Sequence, residues 1–137
     1  MRYLLDTNIV SELRKGDRAD AGLRKWFSTV EADDLALSVL VVAEIRLGIQ
    51  RLRRRDVEAA DHLAAWLARL ERAYAGKLLT IDTEVGKAWA DLNAPRPLPV
   101  LDSLQAATAR VYGLTFVTRK LQDLEGIAVP MLNPFTG

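Results

Sequence analysis

The sequence predicts an α/β protein built around a mostly parallel sheet with helices on both of its faces. Two features support this fold class: short apolar segments that suit buried strands, and longer segments whose apolar residues recur every three or four positions, as in amphipathic helices. The two kinds of segment alternate along the chain, which is the pattern of α/β folds. The 137 residues contain no internal repeat, low-complexity stretch or linker, so residues 1–137 are predicted to form one domain.

Five apolar segments are predicted strands. The first, residues 2–5, is too short for a helix and stops at the carboxylate of Asp6 and the small polar Thr7 and Asn8. The carboxyl edge of an open parallel sheet is where ligands bind, and Asp6 is expected to stand at that edge. The five predicted strands are residues 2–5, 35–37, 78–81, 115–117 and 129–132.

Six segments between the strands are predicted helices. Ser38 and Asp82 precede two of them and suit helix N-caps, whereas Gly76 and Gly113 follow two others and suit helix ends. The loop around Pro97 is rich in proline and cannot be helical. The six predicted helices are residues 7–13, 21–30, 39–53, 57–74, 83–93 and 103–112.

The composition excludes several catalytic classes. The absence of Cys rules out thiol catalysis, cysteine zinc sites and disulfides, and the single histidine, His62, rules out a two-histidine ribonuclease mechanism. His62 is predicted to lie at the edge of a core helix face. No glycine-rich phosphate loop and no His-Glu-x-x-His motif occurs. Because the sequence also has no apolar run of about 18 residues and no signal-peptide pattern, a cytoplasmic protein with no membrane segment is expected.

Two acids in the first half of the chain need an explanation. Asp6 either caps the helix that begins at Thr7 or serves a site at the strand end. Glu44 lies inside a predicted helix, where it cannot act as a cap, and its face neighbours are apolar or glycine. These neighbours are Leu40, Val41, Leu47 and Gly48. A carboxylate on an apolar face is costly unless a positive charge meets it, so Glu44 is expected to form a tertiary salt bridge or to ligate a metal.

Two acids in the second half have simpler alternatives. Asp102 is predicted to stand at the start of a helix, and residues 102–105, Asp-Ser-Leu-Gln, have the form of a capping box. Asp123 lies in a polar loop after the fourth strand, where a solvated acid needs no special role. Both acids, like Asp6, come from the carboxyl side of strands or from the loops that follow.

Taken together, Asp6, Glu44, Asp102 and Asp123 are expected to gather in one cleft. Carboxylates in one cleft repel each other and raise each other's pKa values, so the cluster is destabilising without a cation. Mg²⁺ or Mn²⁺ suits such a set of oxygens, retains several waters and leaves room for phosphate oxygens. The matching chemistry is hydrolysis of a phosphodiester by a metal-activated water.

Two other functions fit parts of this pattern. A phosphatase of the haloacid-dehalogenase type would use Asp6 as nucleophile, but it needs a second Asp two residues later, where Asn8 stands. A module that binds RNA or protein without catalysis would explain the acids as caps and salt bridges. A run of arginines suits either a solvated helix end or an edge that contacts phosphates. The run consists of Arg46, Arg51, Arg53, Arg54 and Arg55.

Five segments carry a family resemblance that covers essentially the whole chain. They are Leu4-Leu5-Asp6-Thr7-Asn8, residues 38–48 with Ala43-Glu44-Ile45-Arg46-Leu47-Gly48, residues 99–109, residues 115–119 and residues 129–135. In this order and spacing they resemble the PIN-domain ribonucleases of the VapC family, close to the FitB branch. The resemblance implies a three-layer α/β/α sandwich around a five-stranded, mostly parallel sheet.

The resemblance also implies a function and partners. Members of the family are toxins of type II toxin–antitoxin pairs, and they cut RNA with Mg²⁺ or Mn²⁺. They are usually dimers, held inactive by a cognate antitoxin, here a VapB- or FitA-like protein through which the complex is expected to bind promoter DNA. The apolar predicted helices at residues 21–30 and 57–74 also suit a homodimer.

The family motifs imply roles for particular residues. The implied catalytic and metal-site acids are Asp6, Glu44, Asp102 and Asp123, and the residues implied to orient them are Thr7, Asn8 and Thr118. The chain departs from the family pattern at Lys120, where many relatives have Asn, and at Leu124, where an aromatic residue often follows the fourth acid. Gln105 stands where an apolar residue is common, and it is expected to place a polar group near the cleft.

Overall fold

Five strands, all parallel, form one sheet in residues 1–136, the part of the chain that the computed structural model describes. They are β1 (Tyr3–Leu5), β2 (Leu35–Ser38), β3 (Leu78–Leu79), β4 (Thr115–Val117) and β5 (Met131–Leu132). The order β3-β2-β1-β4-β5 puts β1 at the centre. The predicted α/β class and the five strands are confirmed, although β3 and β5 are each two residues shorter than predicted.

Six α-helices occupy the segments between the strands. They are α1 (Thr7–Leu13), α2 (Ala21–Phe27), α3 (Val39–Arg53), α4 (Val57–Ala73), α5 (Thr83–Asn93) and α6 (Val100–Tyr112). Ser38 caps α3 and Asp82 caps α5, as predicted, by accepting from backbone N–H groups at 3.1 and 3.0 Å. Gly113 ends α6 in the left-handed conformation that glycine adopts without strain. None of the helices in residues 1–136 has both the length and the apolar character to span a bilayer.

Two predictions about helices are wrong in detail. Helix α2 ends at Phe27 instead of residue 30. The hydroxyl of Thr29 donates to the carbonyl oxygen of Trp26 at 2.6 Å, so a side chain competes with the next backbone hydrogen bond. His62 is exposed and does not lie at a core edge, because α4 turns that side toward solvent.

Alternate strand residues point to opposite faces of the sheet and form two cores. Leu4 and Phe116 pack with α5 and α6, whereas Leu5 and Val117 pack with α1, α2 and α3 on the other face. This arrangement confirms the predicted α/β/α sandwich. Leu5 pairs with Val117 at the carboxyl ends of β1 and β4, so the residues that follow these strands lie next to each other.

Candidate functional site

Asp6 stands at the carboxyl end of the central strand and is 2% exposed. Its backbone N–H donates to the carbonyl oxygen of Val117 at 2.9 Å, which extends the pairing of β1 with β4 by one residue. Its carboxylate also caps α1, because Oδ1 accepts from the N–H of Thr7 at 2.7 Å. The cap that the sequence offered as an alternative explanation is therefore real, but it uses only part of the carboxylate.

Three side chains complete the surroundings of the Asp6 carboxylate. Oδ2 accepts from the Thr118 hydroxyl at 2.7 Å and from the Asn8 amide at 3.1 Å, and Oδ1 accepts from the Gln105 amide at 3.0 Å. Together with the N–H of Thr7, four donors hold one buried carboxylate. These four hydrogen bonds satisfy the oxygens of a carboxylate that burial removes from water.

The loop after β4 fixes two of these donors in turn. The N–H of Lys120 donates to the Thr118 hydroxyl oxygen at 3.1 Å, and the N–H of Arg119 donates to Oδ1 of Asn8 at 3.3 Å. Asn8 therefore presents its NH₂ group to Asp6 and its oxygen to the backbone. A residue that donates to Asp6 in this way cannot be the general acid that a dehalogenase-type phosphatase requires.

Glu44 reaches the same place from α3. Its Oε1 accepts from the Thr7 hydroxyl at 3.0 Å and from the Gln105 amide at 3.3 Å. Of the apolar neighbours of Glu44 on α3, Val41 is buried and Leu47 is 50% exposed, so Glu44 lies where this helix face passes from the core to the rim of the cleft. The four ion pairs within residues 1–136 do not include Glu44, so it has no tertiary salt bridge there.

Asp102 projects from the first turn of α6 and is 9% exposed. The predicted capping box is wrong, because the helix begins at Val100 after Pro99, and the N–H of Ser103 already donates to the carbonyl oxygen of Pro99 at 2.9 Å. Asp102 is thus free of any capping role. Its Oδ2 lies 3.7 Å from the ammonium nitrogen of Lys120.

Two acids of the cleft have raised pKa values. Burial, above all, raises the pKa of Glu44 and the pKa of Asp102, and the charge of Asp6 raises both further, while Lys120 lowers both. The rise in pKa agrees with the sequence-based expectation, but burial is a larger cause than mutual repulsion. For Glu44, the hydrogen bond from Thr7 opposes the effect of burial.

Asp123 lies farther out than the other three acids. It is exposed in the 3₁₀ turn Leu121–Leu124, beside an open groove of about 530 Å³ that Lys120 and Asn133 also line. Its charge contributes to the raised pKa of Asp102. Leu124, the departure from the family pattern, is fully buried and anchors the turn in the core. The fold therefore brings Asp6, Glu44 and Asp102 together and leaves Asp123 at the border.

Two of the three basic residues beside Glu44, Arg14 and Lys15, were not found from the sequence. Arg14, Lys15 and Arg55 line an open groove of about 500 Å³ that Glu44 and Thr7 border. Arg14 and Lys15 directly follow α1 and Arg55 follows α3, so no local pattern links Arg55 to the other two. Of the predicted arginine run, only Arg55 is in this groove, and Arg53 pairs with Asp61 at 2.6 Å.

The donor set suits a hard divalent cation. Three carboxylates approach one another at the sheet edge, and within residues 1–136 the only ammonium or guanidinium in an ion pair with them is that of Lys120, whose side chain is 51% exposed. No group of three or more acidic or histidine side chains in that range is arranged so that it could hold a metal ion. Mg²⁺ accepts one or two carboxylates with water in its remaining positions, so a partial set of oxygens is what it requires.

Comparison with known proteins identifies the family. A PIN-domain family model matches residues 3–121. The chain is 30% identical, over 141 aligned positions and 96% of both proteins, to a VapC ribonuclease of Sinorhizobium fredii. Its fold is similar to the crystal structure of FitAcB from Neisseria gonorrhoeae, with a TM-score of 0.86 at 28% identity over 96% of this chain and 97% of that chain. A structure of FitAB bound to a DNA fragment is similar too, with a TM-score of 0.87 at 26% identity over 98% and 96% of the two chains. The chain belongs to the PIN-domain family, as its sequence motifs predicted.

Proposed function

We propose that this protein is the toxin of a type II toxin–antitoxin pair and a divalent-metal-dependent endoribonuclease that hydrolyses RNA phosphodiester bonds. The observation that carries the proposal is the meeting of Asp6, Glu44 and Asp102 at the carboxyl edge of the sheet. Likeness to a VapC ribonuclease along nearly the whole chain supports the same conclusion.

Asp6, Glu44 and Asp102 are proposed as the residues that hold Mg²⁺ or Mn²⁺, with Asp123 at the border of the site. Bound there, the cation would supply the Lewis acid that phosphodiester hydrolysis needs. Thr7 would orient Glu44, and Asn8 and Thr118 would orient Asp6, through the hydrogen bonds they already make. Burial of the acids excludes water from all but the outer side of the cleft.

RNA is the substrate that suits the charges around the acids. The groove beside Glu44 carries Arg14, Lys15 and Arg55, and Arg119 and Lys120 line the groove beside Asp123. Basic side chains on both sides of an acidic centre would bind the phosphates that flank a scissile bond. Such contacts position the strand and do not read its sequence.

The partners proposed here follow from the solved relatives. FitAcB and FitAB are the assemblies to which this fold is similar, and FitAB is bound to DNA in one of them. We therefore propose a VapB- or FitA-like antitoxin as the partner, a homodimer of this chain, and a cytoplasmic complex that binds promoter DNA through the antitoxin.

Cleavage of RNA by the purified protein tests the proposal. Total tRNA and rRNA are incubated with the protein in Mn²⁺ or Mg²⁺, with and without a chelator, and compared with the Asp6→Asn variant. Asparagine still caps a helix, so α1 is kept while the charge is lost. Asp82→Asn, the same change at the cap of α5, is the matched control and should cleave like the wild type. Cleavage that survives chelation, or equal cleavage by Asp6→Asn, contradicts the proposal.

One observation favours a second candidate, a catalytically silent module that binds RNA or protein. The four donors around Asp6 satisfy its carboxylate without any cation. In that case the wild type would bind RNA in the presence of Mn²⁺ without cutting it. The same incubation decides between the two, because intact RNA in a stable complex supports the silent module.

A further inference from the structure

Gln105 connects two acids that come from different parts of the fold. It lies in the middle of α6 and is fully buried. Its Nε2 lies 3.0 Å from Oδ1 of Asp6 and 3.3 Å from Oε1 of Glu44. An amide NH₂ carries two hydrogens, so one group serves both carboxylates at once. Because both neighbours are acceptors, the nitrogen end of the amide must face them.

The other end of the same amide has no partner. Oε1 of Gln105 is the one buried side-chain nitrogen or oxygen atom in residues 1–136 without a hydrogen bond. A buried carbonyl that loses its water and gains no donor destabilises the folded state. Methionine or leucine would fill nearly the same volume without that loss. The stability of the core therefore does not explain a glutamine at this position, whereas its contacts with the two acids do.

The side chain of Glu44 can turn away from Asp6 if the hydrogen bond from Gln105 is lost. It borders the groove that contains Arg14, Lys15 and Arg55, and a glutamate side chain is long and flexible enough to turn toward those cations. Repulsion from Asp6 acts in the same direction. The Thr7 hydroxyl is the other hydrogen-bond donor that holds Glu44 toward the cleft.

We propose that Gln105 is a positioning residue whose amide holds the carboxylates of Asp6 and Glu44 together as one ligand pair for the divalent cation. This inference rests on the nuclease function proposed above. Gln105 does not touch the cation or the substrate in this account. It keeps two like charges oriented toward one point before the cation arrives. Its position in α6 gives it a rigid base, which is how residues behind metal ligands act in general.

The test uses Gln105→Met, which keeps the size and removes the amide. Calorimetric titration with Mn²⁺ should give a dissociation constant raised by about tenfold or more, the usual effect of losing a residue that orients a metal ligand. The thermal unfolding midpoint without metal should change little, because removal of the unpartnered carbonyl offsets the loss of the two hydrogen bonds to the carboxylates. The matched control is Thr108→Val. Thr108 is equally buried one turn along α6 and donates only to the carbonyl oxygen of Leu104 at 2.8 Å, so Mn²⁺ affinity should not change.

Each outcome bears on the proposal. Weaker Mn²⁺ binding without a lower midpoint supports it. Equal binding by wild type and Gln105→Met overturns it and leaves the nuclease function standing, whereas no binding by the wild type overturns both. If Gln105→Met has a lowered unfolding midpoint and Thr108→Val loses as much Mn²⁺ affinity as Gln105→Met does, Gln105 acts only through the packing of the core, and the proposal is overturned. If Gln105→Met does not fold, the side-chain amide signals of Gln105 in the wild type are followed by NMR. They should shift on addition of Mg²⁺, and unchanged signals at saturating Mg²⁺ contradict the proposal.

Discussion

Asp6 and Asp102 are both buried at the edge of the sheet, but their surroundings differ. Asp6 accepts four hydrogen bonds, and its donors come from α1, α6 and the end of β4. Asp102 has the ammonium of Lys120 at 3.7 Å as its ion-pair partner, and burial raises its pKa. One carboxylate is held by the protein itself, and the other is left able to accept a positive charge.

The difference assigns separate tasks to the two acids. The donors around Asp6 fix the position of the site, and they stabilise the fold whether or not a cation is present. Because burial raises the pKa of Asp102, its charged form is expected to destabilise the metal-free protein. A bound cation would offset that destabilisation. Four substitutions test this difference between the two acids.

Asp6→Ala should have the largest effect on stability. The change removes the cap of α1, leaves the hydroxyl of Thr118 without its carboxylate acceptor, and leaves the buried amide of Gln105 with one of its two acceptors. Together these losses should lower the free energy of unfolding by about 3 kcal/mol. Chemical denaturation in the presence of a chelator measures the loss, and a change below about 1 kcal/mol would mean that the four donors do not stabilise the fold.

Asp102→Asn should act in the opposite direction. Removing the charge of a buried acid that has few partners should raise the free energy of unfolding of the metal-free protein at pH 7 by about 1 kcal/mol. The direction of the pKa shift determines how the effect of Asp102 on stability changes with pH. Because the pKa of Asp102 is raised in the folded state, the folded protein binds this proton more tightly than the unfolded chain, so Asp102 destabilises the fold above that pKa.

The advantage of Asp102→Asn over the wild type should therefore shrink as the pH falls. It should vanish only below pH 3.8, the ordinary pKa of an aspartate, where the wild-type side chain becomes protonated in both states. Unfolding curves measured between neutral pH and that value follow the difference. An advantage that grows on acidification would contradict a raised pKa for Asp102.

Lys120→Met should strengthen cation binding. The ammonium of Lys120 competes with a metal for Asp102, and a charge at this distance near the surface is worth about 1 kcal/mol or slightly more, which corresponds to about a fivefold change in affinity. Fold stability should change little, because the lysine side chain is half exposed. Lys87→Met is the matched control, since Lys87 pairs with Glu84 on the surface of α5. Calorimetric titration with Mn²⁺ compares the three proteins, and weaker binding by Lys120→Met would argue that the lysine assists the site.

Asp123→Asn should have the smallest effect. Its carboxylate is exposed and solvent screens its charge, so Mn²⁺ affinity should fall by less than about threefold. The family motif implies a larger role for this acid as a fourth ligand. A loss in the same titration as large as that of Asp102→Asn would favour that larger role.

The sequence predicted the parts of the fold that depend on local patterns. Strand segments, helix segments and the caps at Ser38 and Asp82 all follow from residues close together in the chain. The start of α6 was not predicted correctly, because Asp-Ser-Leu-Gln has the same form whether the first residue caps a helix or lies inside it. In the structure Pro99 is the N-cap and the helix begins at Val100. Strand lengths were also overestimated, since the apolar Ile81 lies beyond the paired part of β3 and Val129 lies before that of β5.

The candidate site was predictable only in part. Asp6 and Asp123 could be predicted because they follow β1 and β4, and Glu44 because it lacks a local partner. The prediction that Asp102 follows a strand is wrong, because α5 precedes α6 and Asp102 lies in the first turn of α6. The contact between Gln105 and two acids required three elements, α6, α3 and the end of β1, to meet at a point that no local pattern specifies. The groove that gathers Arg14, Lys15 and Arg55 depends in the same way on the packing of helices distant in sequence.

Calorimetric titration with Mn²⁺ of the wild type and of Asp102→Asn, at neutral pH, tests most directly whether the buried acids form a cation site. The wild type should bind Mn²⁺, and Asp102→Asn should bind it at least about tenfold more weakly, although it is the more stable protein without metal. Equal affinity in the two proteins, or no binding by the wild type, would contradict the assignment of this acidic cleft as a metal site.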